Sequence, residues 1–272
     1  MSGSLGNYLF LLRRFRNGLA LVENLRRGGW LEQGPAAERL VLWDGRAVTH
    51  PAHRGGLVPM VLELWRDNEY GIGTFYQPRP GDVIADIGAH IGLFSLMVLD
   101  KEQRVRLLAL EPSPENFGCL ERNLSAFAPQ ANARICNLAI GAGFGKIHMG
   151  PLQTNRSFDA RTVEASASDP DAIPAVPLAH LFELAGTDRF ALMKMDVEGA
   201  EYEVFAGVSS ALLQRVERFA IEYHDNYRSG TAALLHERLA PTHQVTVLPD
   251  RGQLHGRVFG LRHDLARELS IV

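Results

Sequence analysis

Three apolar runs in this 272-residue chain end close to a carboxylate. Val83-Ile84-Ala85 leads to Asp86, and Gly88-Ala89-His90-Ile91-Gly92 follows it closely. Leu107-Leu108-Ala109-Leu110 ends at Glu111, and Ala191-Leu192-Met193-Lys194-Met195 ends at Asp196. Two glycines after an apolar run predict a tight turn where bare backbone can approach a small polar ligand. Glu111 stands 25 residues beyond Asp86, near the roughly 20 at which the acid of a second strand grips a ribose. Carboxylates suit that task because each accepts from both hydroxyls of a diol. These residue types at this spacing predict a pocket for a nucleoside-type ligand.

The glycine spacing selects among such ligands. A dinucleotide fingerprint needs a middle glycine so that backbone can approach a pyrophosphate, and here His90 follows Ala89 with no glycine between Gly88 and Gly92. Asp86 would repel a pyrophosphate and suits an ammonium-bearing ligand. No Gly-Lys-Ser/Thr follows, so a P-loop is excluded. S-adenosylmethionine, with an ammonium, a sulfonium and no phosphate, matches these requirements. On this reading the backbone of Gly88 and Ala89, with His90 and Gly92, lines the methionine and ribose end. Asp86 accepts from the ammonium, directly or through water, and Glu111 from the two ribose hydroxyls. Pro112, Ser113 and Asn116 lie beside Glu111, Asn137 and Leu138 are adenine neighbours, and Glu69 and Tyr70 close over the methionine end.

If such a cofactor passes its methyl group to a hydroxyl, as the family resemblance described below implies, that oxygen must lose a proton, and a histidine near neutral pH can take it. His224, in the polar run Glu222-Tyr223-His224-Asp225-Asn226, is the leading base. Asp196 is the second candidate, or the partner that orients His224, and it also borders the cofactor. No residue is assigned as a metal ligand. An alternative has Mg²⁺ held by Asp196 with Asp225 and Asn226 or His224, acidifying the hydroxyl. An Asp at a helix start can also be a plain N-cap, and Glu198 and Glu201 suit a helix N-terminus without any function.

Strands alternating with helices must position these residues. Strands are expected over Val83–Ile87, Leu107–Leu110, Ala133–Leu138, Ala191–Met195 and Phe219–Tyr223, with Lys146–Met149 a further one. Helices are expected over 93–99, 113–127 (Ser113 as N-cap), 199–213 and 231–239. Val245–Leu248 and Arg257–Arg262 form a closing hairpin. The expected α/β fold is a doubly wound, Rossmann-like sheet of the class I methyltransferase kind. It is mostly parallel, with an antiparallel C-terminal edge hairpin and an N-terminal helical appendage. Residues 1–60 form that appendage, one amphipathic helix over Leu5–Arg27 followed by a hairpin turning at Asp44-Gly45. It is a lid or a dimer element, and in the second case the chain is a homo-oligomer. Residues 61–272 form the cofactor-binding domain, and the 154–174 loop, with Arg156, is a substrate lid.

Asp86-Ile87-Gly88-Ala89-His90-Ile91-Gly92, Glu111-Pro112-Ser113 and Lys194-Met195-Asp196-Val197-Glu198-Gly199-Ala200-Glu201 resemble the FkbM family of S-adenosylmethionine-dependent methyltransferases. The resemblance runs from about Glu69 to Glu222, and the Asp-Val-Glu-Gly-Ala-Glu stretch is its most specific part. It implies an O-methyltransferase acting on a small hydroxyl-bearing acceptor such as a natural product or sugar. His90 departs from the Asn more usual in the family.

The remaining features narrow the class. A net charge of −3 gives no basic footprint for nucleic acid. The two cysteines, Cys119 and Cys136, have no metal-ligand spacing and fit a reduced, cytoplasmic protein. No run is long enough to insert stably in a bilayer. An NAD-linked oxidoreductase and a non-catalytic cofactor-binding protein are the alternatives to a methyltransferase.

Overall fold

The structure is a computed structural model, and it describes residues 4–27, 39–51, 56–149, 162–164, 172–250, 252 and 254–269. The chain opens with α1 (Leu5–Arg14) and α2 (Gly18–Arg26), then the hairpin β1 (Arg39–Val41) and β2 (Ala47–Thr49). A short α3 (Leu57–Val61) runs on into a π-helical turn at Leu62–Arg66. The first half of the main domain is β3 (Val83–Ile87), α4 (Leu93–Lys101), β4 (Arg106–Leu110), α5 (Pro114–Phe127) and β5 (Asn132–Cys136). Next come β6 (Ala139–Gly141), β7 (Gly145–Met149), β8 (Thr162–Glu164), β9 (Ile173–Pro177) and α6 (His180–Ala185). The second half is β10 (Leu192–Met195), α7 (Glu201–Ala206), α8 (Ser210–Leu213), β11 (Arg218–His224), α9 (Thr231–Leu239), β12 (His243–Pro249), β13 (His255–Arg262) and α10 (His263–Leu269).

Seven strands make the central sheet, in the order β12-β13-β11-β10-β3-β4-β5. Strands β11, β10, β3, β4 and β5 are parallel. Strand β13 inserts antiparallel between β11 and β12. This is the doubly wound architecture expected, with the switch in strand order between β3 and β10. Every residue of β3 is buried, as suits a central parallel strand covered on both faces. The two faces carry separate cores, one around Ile84, Leu96 and Leu120, the other around Leu108, Met193 and Ile221. Leu11, Phe15, Leu21, Leu40 and Val48 belong to the first core, so the N-terminal helices and hairpin share it with the sheet. A second sheet, β6-β9-β7-β8, accompanies the central one; its β7 matches the further strand expected over Lys146–Met149, while β6, β8 and β9 lie outside the expected plan.

The expected helix over Leu5–Arg27 is two helices. Phe15 turns to extended backbone and bridges Leu42, and Asn17 bonds Arg39 O and Val41 N. Pairing with the hairpin therefore overrides the helical periodicity. The helix after Asp196 is likewise divided, because Ser209 caps a new turn at Leu212 N. The third strand stops at Cys136 rather than Leu138, because Asn137 turns back onto the preceding strand end. The C-terminal α10 was not anticipated.

Candidate active site

A cavity of about 490 Å³ opens at the carboxyl ends of β3, β4, β10 and β11. That is the switch point where ligands gather in such sheets, and the size suits a cofactor with a small acceptor. Glu63, Glu69, Tyr70, Gly88, Glu111, Lys194, Asp196, Glu198, Glu222, His224 and Arg257 are among its walls.

Gly88 and Glu111 build one end. Gly88 takes φ +73 and stands so close to the strand beyond that a Cβ would fall 1.7 Å from Asp196 O. Gly88 N and Ala89 N both donate to Leu110 O at 2.9 Å, which fixes the turn against β4. Glu111 accepts from His90 N at 2.8 Å and Ser113 N at 2.9 Å. Burial raises its carboxyl to about 7, and those two amides oppose the rise. Ser113 is the N-cap of α5, accepting from Asn116 N, so the same short segment starts the helix and holds the acid.

Asp86 lies elsewhere than expected. It is fully buried and outside the cavity lining, accepting from Ser95 Oγ at 2.6 Å and pairing with Lys194 Nζ at 3.3 Å. Its charge is taken up inside the protein, which corrects the expectation that it meets a ligand ammonium directly. Lys194 also donates to Gly88 O at 2.8 Å and sits 4.0 Å from Asp196 Oδ2. Burial works against its charge, but Asp86 and Asp196 outweigh that and raise its pKa. Asn137 is also turned away: its amide donates to Glu111 O and Pro112 O. Gly92 and Ser113 are likewise behind the wall, while Glu69, Tyr70, Ala89, His90, Pro112, Asn116 and Leu138 line it.

The other end is dense in carboxylates. The Tyr70 hydroxyl lies 3.2 Å from Asp196 Oδ2 and 3.1 Å from Glu222 Oε2. Asp196 Oδ1 is buried and has no hydrogen-bond partner among the described residues. Burial, reinforced by the charge of Asp196, raises Glu222 to about 8. Burial and Glu69 do the same for Glu63, also to about 8. Arg257 reaches in from β13, 3.1 Å from Glu69 and 2.9 Å from Asp250.

Both nitrogens of His224 face carboxylates. Nδ1 is 2.9 Å from Glu201 Oε1, and Nε2 is 3.4 Å from Glu198 Oε2. Burial alone would lower its pKa, but the Glu201 hydrogen bond and charge raise it to about 10. A ring so held is more basic than a free imidazole, and both of its nitrogens are already engaged. Asp225, set beside Asp196 in the Mg²⁺ alternative, accepts from Ala232 N at the start of α9 instead.

Lys194, Glu63, Arg257 and the Glu201–His224 pair were not singled out from sequence. The signal for Lys194 was present, since it is a lone charge in an otherwise apolar strand. No residue of α1 or α2 lines the cavity, which leaves no lid contact from them. Arg156 and most of the 154–174 loop lie outside the described residues.

Residues 86–244 match the family model of the methyltransferase FkbM domain. The chain is 27% identical over 215 residues to the 31-O-demethyl-FK506 methyltransferase FkbM of Streptomyces tacrolimicus, covering 69% of this chain and 82% of that one. It is 26% identical over 240 residues to the AMB antimetabolite synthetase AmbE of Pseudomonas aeruginosa, covering 76% of this chain but only 11% of that far longer protein. It is 25% identical over 173 residues to the hexuronic acid methyltransferase AglP of Haloferax volcanii, covering 61% of this chain and 69% of that one.

Proposed function

The chain belongs to the FkbM methyltransferase family, and from that premise we propose an S-adenosylmethionine-dependent O-methyltransferase of a small hydroxyl-bearing acceptor, a natural product or sugar. One observation carries the reading: a single cavity is lined by Glu111, by the Gly88 turn and by Asp196. The relatives named for 31-O-demethyl-FK506 and for a hexuronic acid support an oxygen-rich acceptor.

The residues present fit the cofactor. The Gly88 turn, held at φ +73 with Asp196 O packed against it, puts main chain rather than a side chain on the cavity wall, beside the methionine end. Glu111, oriented by two amides, has acceptor capacity left for the ribose diol. Asp86 reaches the cofactor only through Lys194 and the turn they brace. When bound, S-adenosylmethionine supplies an electrophilic methyl group on a sulfonium. The chain's own part is to hold the acceptor oxygen and receive its proton. Asp196 is our choice for that proton, because Oδ1 is unpartnered while both nitrogens of His224 are engaged. His224 then orients the Glu198 side of the turn.

The test is calorimetry with S-adenosylmethionine. The full chain is expected to bind one equivalent, and Glu111→Ala to weaken it about 10- to 100-fold, the worth of one or two charge-assisted hydrogen bonds. Absence of binding by well-folded protein sinks the proposal. A screen of sugar and polyketide alcohols with labelled cofactor then identifies the acceptor.

A further inference from the structure

Asp196, Glu198 and His224 each present one donor atom within 4.8 Å of the other two. Asp196 and Glu198 follow β10, and His224 ends β11. All three line the cavity, so a species held among them is open to an acceptor.

Two further observations separate this group from an ordinary acidic patch. The first lies behind the histidine. Glu201 is fully buried and takes His224 Nδ1 at 2.9 Å, which directs Nε2 toward Glu198. Histidines that ligate metals are held in this way, their second nitrogen fixed by a carboxylate so that the first points at the ion. The second is Asp196 Oδ1, buried with nothing to accept from. A buried oxygen left without a partner is costly, and a cation supplies the missing contact.

We infer that Asp196, Glu198 and His224 form a binding site for a divalent cation, with Glu201 as the support that orients His224. One imidazole with two carboxylates suits a first-row transition ion such as Mn²⁺ better than the all-oxygen preference of Mg²⁺. Asp225 is not part of the site. A cation held there would supply Lewis acidity next to the acceptor oxygen, easing loss of its proton to Asp196. The binding claim is independent of the methyl-transfer reading and is tested without turnover.

Full-length protein, stripped with chelator and desalted, is titrated with MnCl₂ and followed by calorimetry and by the electron paramagnetic resonance of free Mn²⁺. One ion per chain is expected. Glu198→Gln and His224→Asn should each abolish that site, and Glu201→Gln should weaken it about 10- to 100-fold. S-adenosylmethionine affinity, measured on the same variants, reports that the cavity is intact. No uptake up to about 1 mM Mn²⁺, or uptake unchanged in both ligand variants with cofactor binding retained, overturns the site. Equal affinity for MgCl₂ overturns the assignment to a transition ion.

Discussion

Gly88 is the residue with least freedom to change. Its φ of +73 disfavours any side chain, and a Cβ would meet Asp196 O at 1.7 Å. Gly88→Ala is therefore expected to lower stability by about 1–3 kcal/mol and to abolish S-adenosylmethionine binding, read by thermal unfolding and calorimetry. Glu111 makes a second prediction. Burial holds its carboxyl at about 7, and a ribose diol needs the ionised form as acceptor. Cofactor affinity should therefore rise about tenfold per unit as pH approaches 7 from below and then level off. Glu111→Gln should flatten that profile; a slope that survives the substitution counts against the assignment. Glu111 was legible from residue type and spacing alone. The facing of Asp86 was not, because its partner Lys194 comes from a strand more than a hundred residues later. A local pattern carries no record of that pairing.

At the scale of elements, the cap of α5 and the Lys194 brace can be separated. Ser113→Ala removes an N-cap and should cost about 1 kcal/mol, measurable by chemical unfolding. Lys194→Met leaves the fully buried Asp86 without its cation, and should cost about 3–5 kcal/mol. Adding Asp86→Asn to Lys194→Met should recover part of that loss. If the double variant is no more stable than the single, the two residues are not coupled. The central strands and their helices were legible because buried parallel strands read as short apolar runs closed by polar residues. The break at Phe15 was not, since it depends on the hairpin that captures it. Of the second sheet β7 was legible and its partners were not, β6 and β8 being only three residues each.

The whole molecule stores protons in its site. Glu111 is raised to about 7, and Glu63 and Glu222 to about 8. The folded chain thus keeps protons that the unfolded chain loses above the ordinary carboxyl range. Their contribution to stability is complete below that range and is lost as pH rises through 7 to 8. The melting temperature should accordingly fall between about pH 5 and about pH 8, and a flat profile over that range would contradict the burial of these groups. The overall architecture was legible from the alternation of elements, and so was a closing hairpin. What the pattern did not reveal is that β13 inserts beside β11, setting Arg257 opposite Glu222 and His255 opposite His224. That insertion has a consequence for synthesis. On the ribosome, β3 to β5 emerge first and can assemble the Gly88–Glu111 end early. Strand β11 must wait with an open edge while β12 passes it, until β13 arrives to fill the gap. The carboxylate-rich part of the cavity, with Arg257 in its wall, is therefore the last to be built.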